Sequence, residues 1–254
     1  MRPISEVHNC DCMDFMRDLP DNFFDIAIAD FPYGIGEDGE SNHSRGRLAE
    51  ATKFTPKAWD KEPPKQCVFN EVLRVSRYQV ICGANHFIER IPFNSSCWIV
   101  WDKDNGLTDF ADCELAWTNM PFAVRKFKYK WQGMLQENMS RKEERIHPCQ
   151  KPIALYGWIL RTFLPKIGGG KIFDPMFGSG SSRIAAYKLG YDYWGCELDK
   201  EYFDKASERF EKECNGITRL PDGTKIKQLS IFDDYGNNND FTPRGDKHCD
   251  ELLP

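Results

Sequence analysis

Short apolar runs of strand length recur along the chain, with amphipathic stretches of helical length between them. Phe24-Asp25-Ile26-Ala27-Ile28-Ala29 ends at a Pro/Gly stop, Tyr78 to Cys82 ends at Gly83, and Cys97 to Trp101 ends in the charged turn Asp102 to Asn105. Glu114 to Thr118, Lys171 to Phe173, Tyr193 to Cys196 and Glu6 to Asn9 complete seven such runs. Three helices are marked by their ends: Ile153 to Leu164 behind Pro152, Ser179 to Leu189 stopped by Gly190, and Lys200 to Cys214. Strand-length runs alternating with helices predict an α/β fold, a mostly parallel seven-stranded sheet covered on both faces.

Two polar segments, 34–66 and 119–146, interrupt this pattern, and Gly-Asn-Asn-Asn-Asp and Pro-Arg-Gly-Asp mark 233–254 as a disordered tail. Residues 1–232 are therefore expected to form one domain carrying the two segments as inserts. Hydrophobic residues at 41% exclude a disordered chain. No run approaches the ~18 apolar residues of a membrane span, and Met1 to Glu6 lacks the apolar core of a secretion signal, so a cytoplasmic address and no membrane partner are expected. The net charge of −5 argues against a polycation that coats nucleic acid, yet most of it sits in the tail, where Asp233, Asp234, Asp240, Asp246, Asp250 and Glu251 face Arg244 and Lys247. The ten cysteines are scattered, with only Cys10 and Cys12 close, in a C-x-C spacing that does not fit a zinc site. Reduced thiols and no metal are expected.

Two groups of residues stand at the predicted carboxyl ends of strands, where open α/β sheets bind ligands. In Phe173-Asp174-Pro175-Met176-Phe177-Gly178-Ser179-Gly180-Ser181-Ser182 a strand runs through a glycine turn into a helix, whose first N–H groups are free for a carboxylate or phosphate. The next strand ends in Glu197, seventeen residues past Gly180, about where a Rossmann-like sheet places the acid that grips ribose hydroxyls. The other group is Asp30-Phe31-Pro32-Tyr33-Gly34: a carboxylate acceptor, an extended residue before proline, and a flat ring for stacking. Together they suit an amino group on an aromatic base, while a capped turn is the plain alternative.

Taken in order, these motifs resemble the β-class amino-methyltransferases of DNA, the DNA methylase N-4/N-6 family, in its phage or prophage type. In that class a catalytic D-P-P-Y is followed by a target-recognition segment, then H-P-x-Q-K-P, then a cofactor loop D-P-F-x-G-S-G-T. Here Asp30-Phe31-Pro32-Tyr33 is followed by 119–146, by His147-Pro148-Cys149-Gln150-Lys151-Pro152 and by Asp174 to Ser182. Asn9-Cys10-Asp11-Cys12 is similar to the family's G-D-C, and Trp101-Asp102-Lys103 with Ala111 to Trp117 is similar to a stretch of phage-type members. The resemblance covers about residues 5–215. It implies a Rossmann-like S-adenosylmethionine-dependent methyltransferase fold with permuted motif order, acting on the N6 of adenine in double-stranded DNA. Asp30 and the Phe31 carbonyl would then accept the two amino N–H groups, with Pro32 holding the turn and Tyr33 stacking on a flipped base. Glu197 would hold the ribose, Cys10 and Asp11 the adenine end, and Lys151 with Asp174, Pro175, Met176, Phe177, Gly178, Ser179, Gly180 and Ser181 the methionine end. Asp11 could equally be a helix cap, His147 reads as a turn residue, and Cys149 is given no role.

Phe31 stands where the family has its first proline, Met176 replaces phenylalanine and Ser181 replaces threonine; the first keeps the carbonyl but gives up rigidity. Cytosine N4 methylation is the alternative reaction, an RNA base an alternative substrate, and a weakly catalytic DNA-binding protein on the same fold the alternative class. A nicotinamide dehydrogenase has no use for Asp30-Phe31-Pro32-Tyr33. Segment 119–146 carries Arg125, Lys126, Lys128, Lys130, Arg141, Lys142 and Arg145 against three glutamates, with Phe127, Tyr129 and Trp131 interleaved. This suits phosphate contact, shared with Arg45, Arg47 and Lys53 of the first insert, although alternation across Lys126 to Trp131 equally fits a solvated edge hairpin. Finally, Gln228-Leu229-Ser230-Ile231-Phe232 resembles the peptide by which bacterial proteins dock on the replication sliding clamp, with an edge strand as the alternative.

Overall fold

The computed structural model describes residues 2–36, 57, 60–106, 111–132, 135–220 and 222–227. Arg45, Arg47 and Lys53, the segment Gln228 to Phe232 and the tail 233–254 lie outside the described residues. In chain order the elements are β1 (Ser5–His8), α1 (Cys12–Met16), β2 (Phe24–Ala29), α2 (Gln66–Val75), β3 (Ser76–Cys82), β4 (Trp98–Asp102), β5 (Cys113–Thr118) and β6 (Arg125–Lys128). Two short strands, β7 (Trp131–Gln132) and β8 (Leu135–Gln136), precede α3 (Ile153–Ile167), β9 (Lys171–Asp174), α4 (Ser181–Lys188), β10 (Asp192–Cys196) and α5 (Lys200–Asn215). A last ribbon pairs β11 (Ile217–Arg219) with β12 (Lys225–Lys227).

The central sheet has the order β1-β10-β9-β2-β3-β5-β4-β6. Only β5 runs against the others, because both of its pairings are antiparallel and every other pairing is parallel. The seven predicted strands are all present, and the sheet gains an eighth, β6, out of the segment expected to form the target-recognition insert. It docks in parallel on β4, with Ile99 opposite Arg125 and Trp101 opposite Phe127.

The sheet divides the core into two layers. Ile26 and Ile28 of β2 pack with Ile159, Leu160 and Phe163 of α3 and with Ala185 and Ala186 of α4. Ala27 and Ala29 face the opposite layer of Met16, Phe69, Val72 and Phe87. Neither α1 nor α2 is among the predicted helices: α1 has five residues, and α2 follows a polar segment with no capping side chain at its start. Among the described residues no helix is long and apolar enough to cross a membrane.

The position of the site follows from the connections. From β2 the chain passes through α2 to β3 on one side, and from β9 through α4 to β10 on the other, while β2 and β9 are direct neighbours. Connections that leave in opposite directions open a crevice at the carboxyl ends of the two strands. Asp30 follows one strand and Asp174 ends the other.

Candidate active site

At the end of β2 the chain turns through Asp30-Phe31-Pro32-Tyr33. Phe31 drives its ring inward, 2% exposed, against Phe69 at 4.7 Å. The bulky side chain anchors the turn in the core and so offsets the rigidity forgone with the proline. Tyr33 stacks on His86, with ring centres 4.7 Å apart. It lies so close to Gly83, whose φ is +64°, that a Cβ there would fall 2.2 Å from the Tyr33 ring; glycine is required on both counts.

Lys151 closes the group. Its Nζ donates to Asp30 Oδ1 at 2.5 Å and to the Tyr33 hydroxyl at 2.9 Å, and lies 3.4 Å from Glu114 Oε2. Lys103 pairs with the other Glu114 oxygen. Burial pushes the Asp30 carboxyl above the ordinary carboxylate range, opposed by the Lys151 ammonium beside it. For Glu114 burial acts the same way, but Lys151 and Lys103 outweigh it and bring the pKa to about 2.

The cofactor half lies across the crevice. Glu197 accepts the Gly178 N–H at 3.0 Å on one oxygen and the Asp199 N–H at 2.8 Å on the other. The Leu198 N–H also donates to it; a carboxylate has about four acceptor positions, so it is fixed in orientation and keeps capacity for a further donor. Asp174 accepts from the Met176 N–H at 3.1 Å and from the Ser182 hydroxyl at 2.6 Å. Burial lifts its pKa to about 7 against those bonds. Arg209 holds the glycine turn from behind, donating to the Ser179 carbonyl and the Ser181 hydroxyl at 2.9 Å each, and is itself paired with Glu143 at 2.7 Å.

One continuous cleft joins the two halves, walled by Asp30, Tyr33, Glu114 and Lys151 on one side and by Met176, Gly178 and Glu197 on the other. Its volume of about 1920 Å³ exceeds the ~300–1,000 Å³ of a single small-molecule pocket. There is room for two reactants.

Several expected contacts are placed differently. Lys151, expected at the methionine end, turns to Asp30 because a buried ammonium takes the nearest carboxylates. Asp174, Gly180 and Ser181 stand behind the cleft wall, while Pro175, Met176, Phe177, Gly178 and Ser179 line it. Asp11 caps α1, accepting the Met13 N–H at 2.8 Å, at the cleft rim. Cys10 also lines the cleft, with its sulfur 3.9 Å from that of Cys196. His147 is a turn residue, its Nδ1 accepting the Cys149 N–H at 3.2 Å.

The basic segment supplies the edge strand β6 of the central sheet, paired in parallel with β4. Lys126 lies 3.5 Å from Asp102, and Lys128 and Lys130 lie 2.9 and 3.5 Å from Asp104. The two outer lysines of β6 are exposed, as is Arg141 in the turn beyond β8, while Arg125 is half-buried. Glu114, Lys103, His86 and Arg209 escaped the sequence reading. A charged residue inside the run Glu114 to Thr118 was a signal for the first, and Arg209 in register with Tyr202, Ala206 and Phe210 on the buried face of α5 was one for the last.

Residues 123–208 match the family model described as DNA methylase, N6_N4_Mtase. The chain is 25% identical over 267 aligned residues to the type II methyltransferase M.HinfI of Haemophilus influenzae, covering 87% of this chain and 71% of the relative. To the type II methyltransferase M2.MboI of Moraxella bovis it is 23% identical, covering 81% and 87%. In fold it is similar to the crystal structure of TTHA0409, a candidate DNA modification methylase of Thermus thermophilus, with a TM-score of 0.50, 18% identity and coverage of 84% of this chain and 97% of that one. The same protein has been solved with S-adenosyl-L-methionine. With the motif order and the crevice between β2 and β9, these matches make the chain similar to the DNA methylases of the N6/N4 family, with the family model itself matched over residues 123–208.

Proposed function

We propose that this protein is a DNA methylase that transfers the methyl group of S-adenosylmethionine to the N6 of adenine in double-stranded DNA. The observation that carries the reading is the single cleft in which a carboxylate followed by a backbone carbonyl and a tyrosine ring faces a glycine turn and an oriented glutamate. The residues fit the cofactor: Glu197 is held in orientation by backbone N–H groups with acceptor capacity left for a ribose hydroxyl, Met176 and Phe177 offer apolar wall, and the Gly178 turn brings backbone close to the ligand.

A base amino group is a weak nucleophile, because its lone pair is delocalised into the ring. Asp30 and the Phe31 carbonyl accept its two N–H groups, turn the nitrogen toward sp³ and aim its lone pair across the cleft; the catalysis is positioning with electrostatic help. Tyr33, braced by His86, supports the flipped ring. S-adenosylmethionine supplies an electrophilic methyl group on a sulfonium. Asp30 in place of the serine usual in cytosine-specific relatives of the class favours adenine.

Two variants separate the halves of the site. Asp30→Ala should lower turnover by about 10²-fold or more with cofactor affinity unchanged, and Glu197→Ala should weaken cofactor binding first, both read by methyl transfer and calorimetry. Equal cofactor affinity in wild type and Glu197→Ala would remove Glu197 from the site. DNA is held in part by the β6 edge and Lys130 just beyond it: the pairs of Lys126, Lys128 and Lys130 with Asp102 and Asp104 are partly exposed, and surface pairs contribute ~0–1 kcal/mol, so phosphates compete for them. Replacing Lys126, Lys128 and Lys130 by glutamine should flatten the log-log salt dependence of DNA binding by about one per lost contact; an unaltered slope would leave the strip a solvated edge.

A further inference from the structure

Four charged side chains meet beside Tyr33, and the transfer step as described uses only one of them. Lys151 Nζ lies 2.5 Å from Asp30 Oδ1 and 3.4 Å from Glu114 Oε2, and these three side chains are 6%, 17% and 23% exposed. Lys103 fixes Glu114 from its other oxygen. The Lys151 ammonium therefore sits on an oxygen that an incoming amino group must reach. A buried ammonium displaced from one carboxylate needs another within reach.

We propose that Glu114 is a positioning residue for methyl transfer, the second seat that takes the Lys151 ammonium from Asp30 when the target amine binds, an inference that rests on Asp30 being the acceptor for that amine. Lys103 keeps the Glu114 carboxylate in place, so Lys151 moves and Glu114 does not. The two carboxylates and two ammoniums balance before the neutral base enters and after it. In the transfer a bond forms between the amino nitrogen and the methyl carbon as the carbon–sulfur bond breaks. The positive charge passes from sulfur to nitrogen, and the nitrogen then gives its extra proton to the Asp30 carboxylate that accepts its N–H. Without the Glu114 charge, an uncompensated ammonium would face the nitrogen where positive charge develops, and the barrier would rise. Glu114 stays ionised throughout, because its two lysines outweigh its burial. The other titratable groups facing the cluster are Tyr33 on the same turn, Cys82 at the end of β3, His147 in the turn before Lys151, Tyr156 on α3 and Asp174 at the end of β9.

The test is Glu114→Gln beside Glu114→Asp, read by turnover across pH, by cofactor affinity and by the titration of the Lys151 ammonium in lysine ¹⁵N NMR. Glu114→Gln should lower kcat by about tenfold or more while cofactor affinity holds. Because the Glu114 charge raises the pKa of both Asp30 and Lys151, its loss should move both limbs of the pH profile to lower pH. Glu114→Asp keeps the charge but draws it back, so kcat should fall with the limbs near their wild-type positions. Should Glu114→Gln not fold, the aspartate variant decides, and wild-type kcat there overturns the proposal. Unchanged kcat and unmoved limbs in Glu114→Gln overturn it as well. If the wild type binds cofactor and methylates no DNA, it is the proposed function that fails. The network is then judged by NMR alone: a Lys151 titration shifted downward in Glu114→Gln supports it, and an identical one overturns it.

Discussion

Asp174 and His147 pull the pH dependence of stability in opposite directions. Burial raises the Asp174 pKa from 3.8 to about 7, so between those values the folded chain holds a proton that the unfolded chain has released, and stability falls as pH rises. Burial, with Lys151 and Arg145 nearby, lowers the His147 pKa from 6.5 to about 3. There the unfolded chain holds the extra proton, and stability falls as pH drops. At ~1.4 kcal/mol per pH unit for one proton the two slopes nearly cancel from pH 4 to 6.5. Asp174→Asn removes one of them. Its stability relative to wild type should rise by an amount on the order of 4 kcal/mol between pH 4 and pH 8, with its own curve steeper on the acid side; parallel curves by thermal melts would show that Asp174 ionises freely in the fold. Asp30, Tyr33, Asp174 and Glu197 were legible in the sequence because each follows or closes a strand-length run, and strand ends are where such sheets work. The partner of Lys151 was not, because it lies 121 positions away and only the sheet order brings the two together. Asp11 had two readings from one local pattern, and the cap is the one its side chain displays.

At the scale of elements, β6 has two unlike faces. Phe127 stacks on Tyr129 at 5.6 Å and meets Trp158 of α3 at 5.3 Å, whereas the lysines on either side point outward. Phe127→Ala should therefore cost about 2 kcal/mol, below the ~3–5 kcal/mol of a fully buried phenylalanine. The triple lysine-to-glutamine variant should stay within about 0.5 kcal/mol of wild type. Urea unfolding of both checks the assignment, and a larger loss from the lysines than from Phe127 would contradict it. The alternation of Lys126 to Trp131 made an extended segment readable. Its parallel pairing with β4 was not readable, because register against a distant strand is set by packing on α3 and not by any local residue. The same holds for α2, which has no capping side chain and takes its stability from Val68, Phe69, Val72 and Val75 buried on one face.

For the whole molecule, function follows from the two directions in which the chain leaves β2 and β9. Swapping the order of the halves along the chain does not disturb the crevice, since it depends on which strands are neighbours. That is why motif order carried recognition while the sheet carries the chemistry. The central claim is that Asp30 presents an adenine amine to the methyl group in this crevice. It is tested most directly by incubating duplex DNA with the purified protein and S-adenosylmethionine, digesting to nucleosides and weighing them by mass spectrometry. The account predicts N6-methyladenine from the wild type and none from Asp30→Ala at equal cofactor affinity; N4-methylcytosine in its place, or N6-methyladenine undiminished in Asp30→Ala, would contradict it.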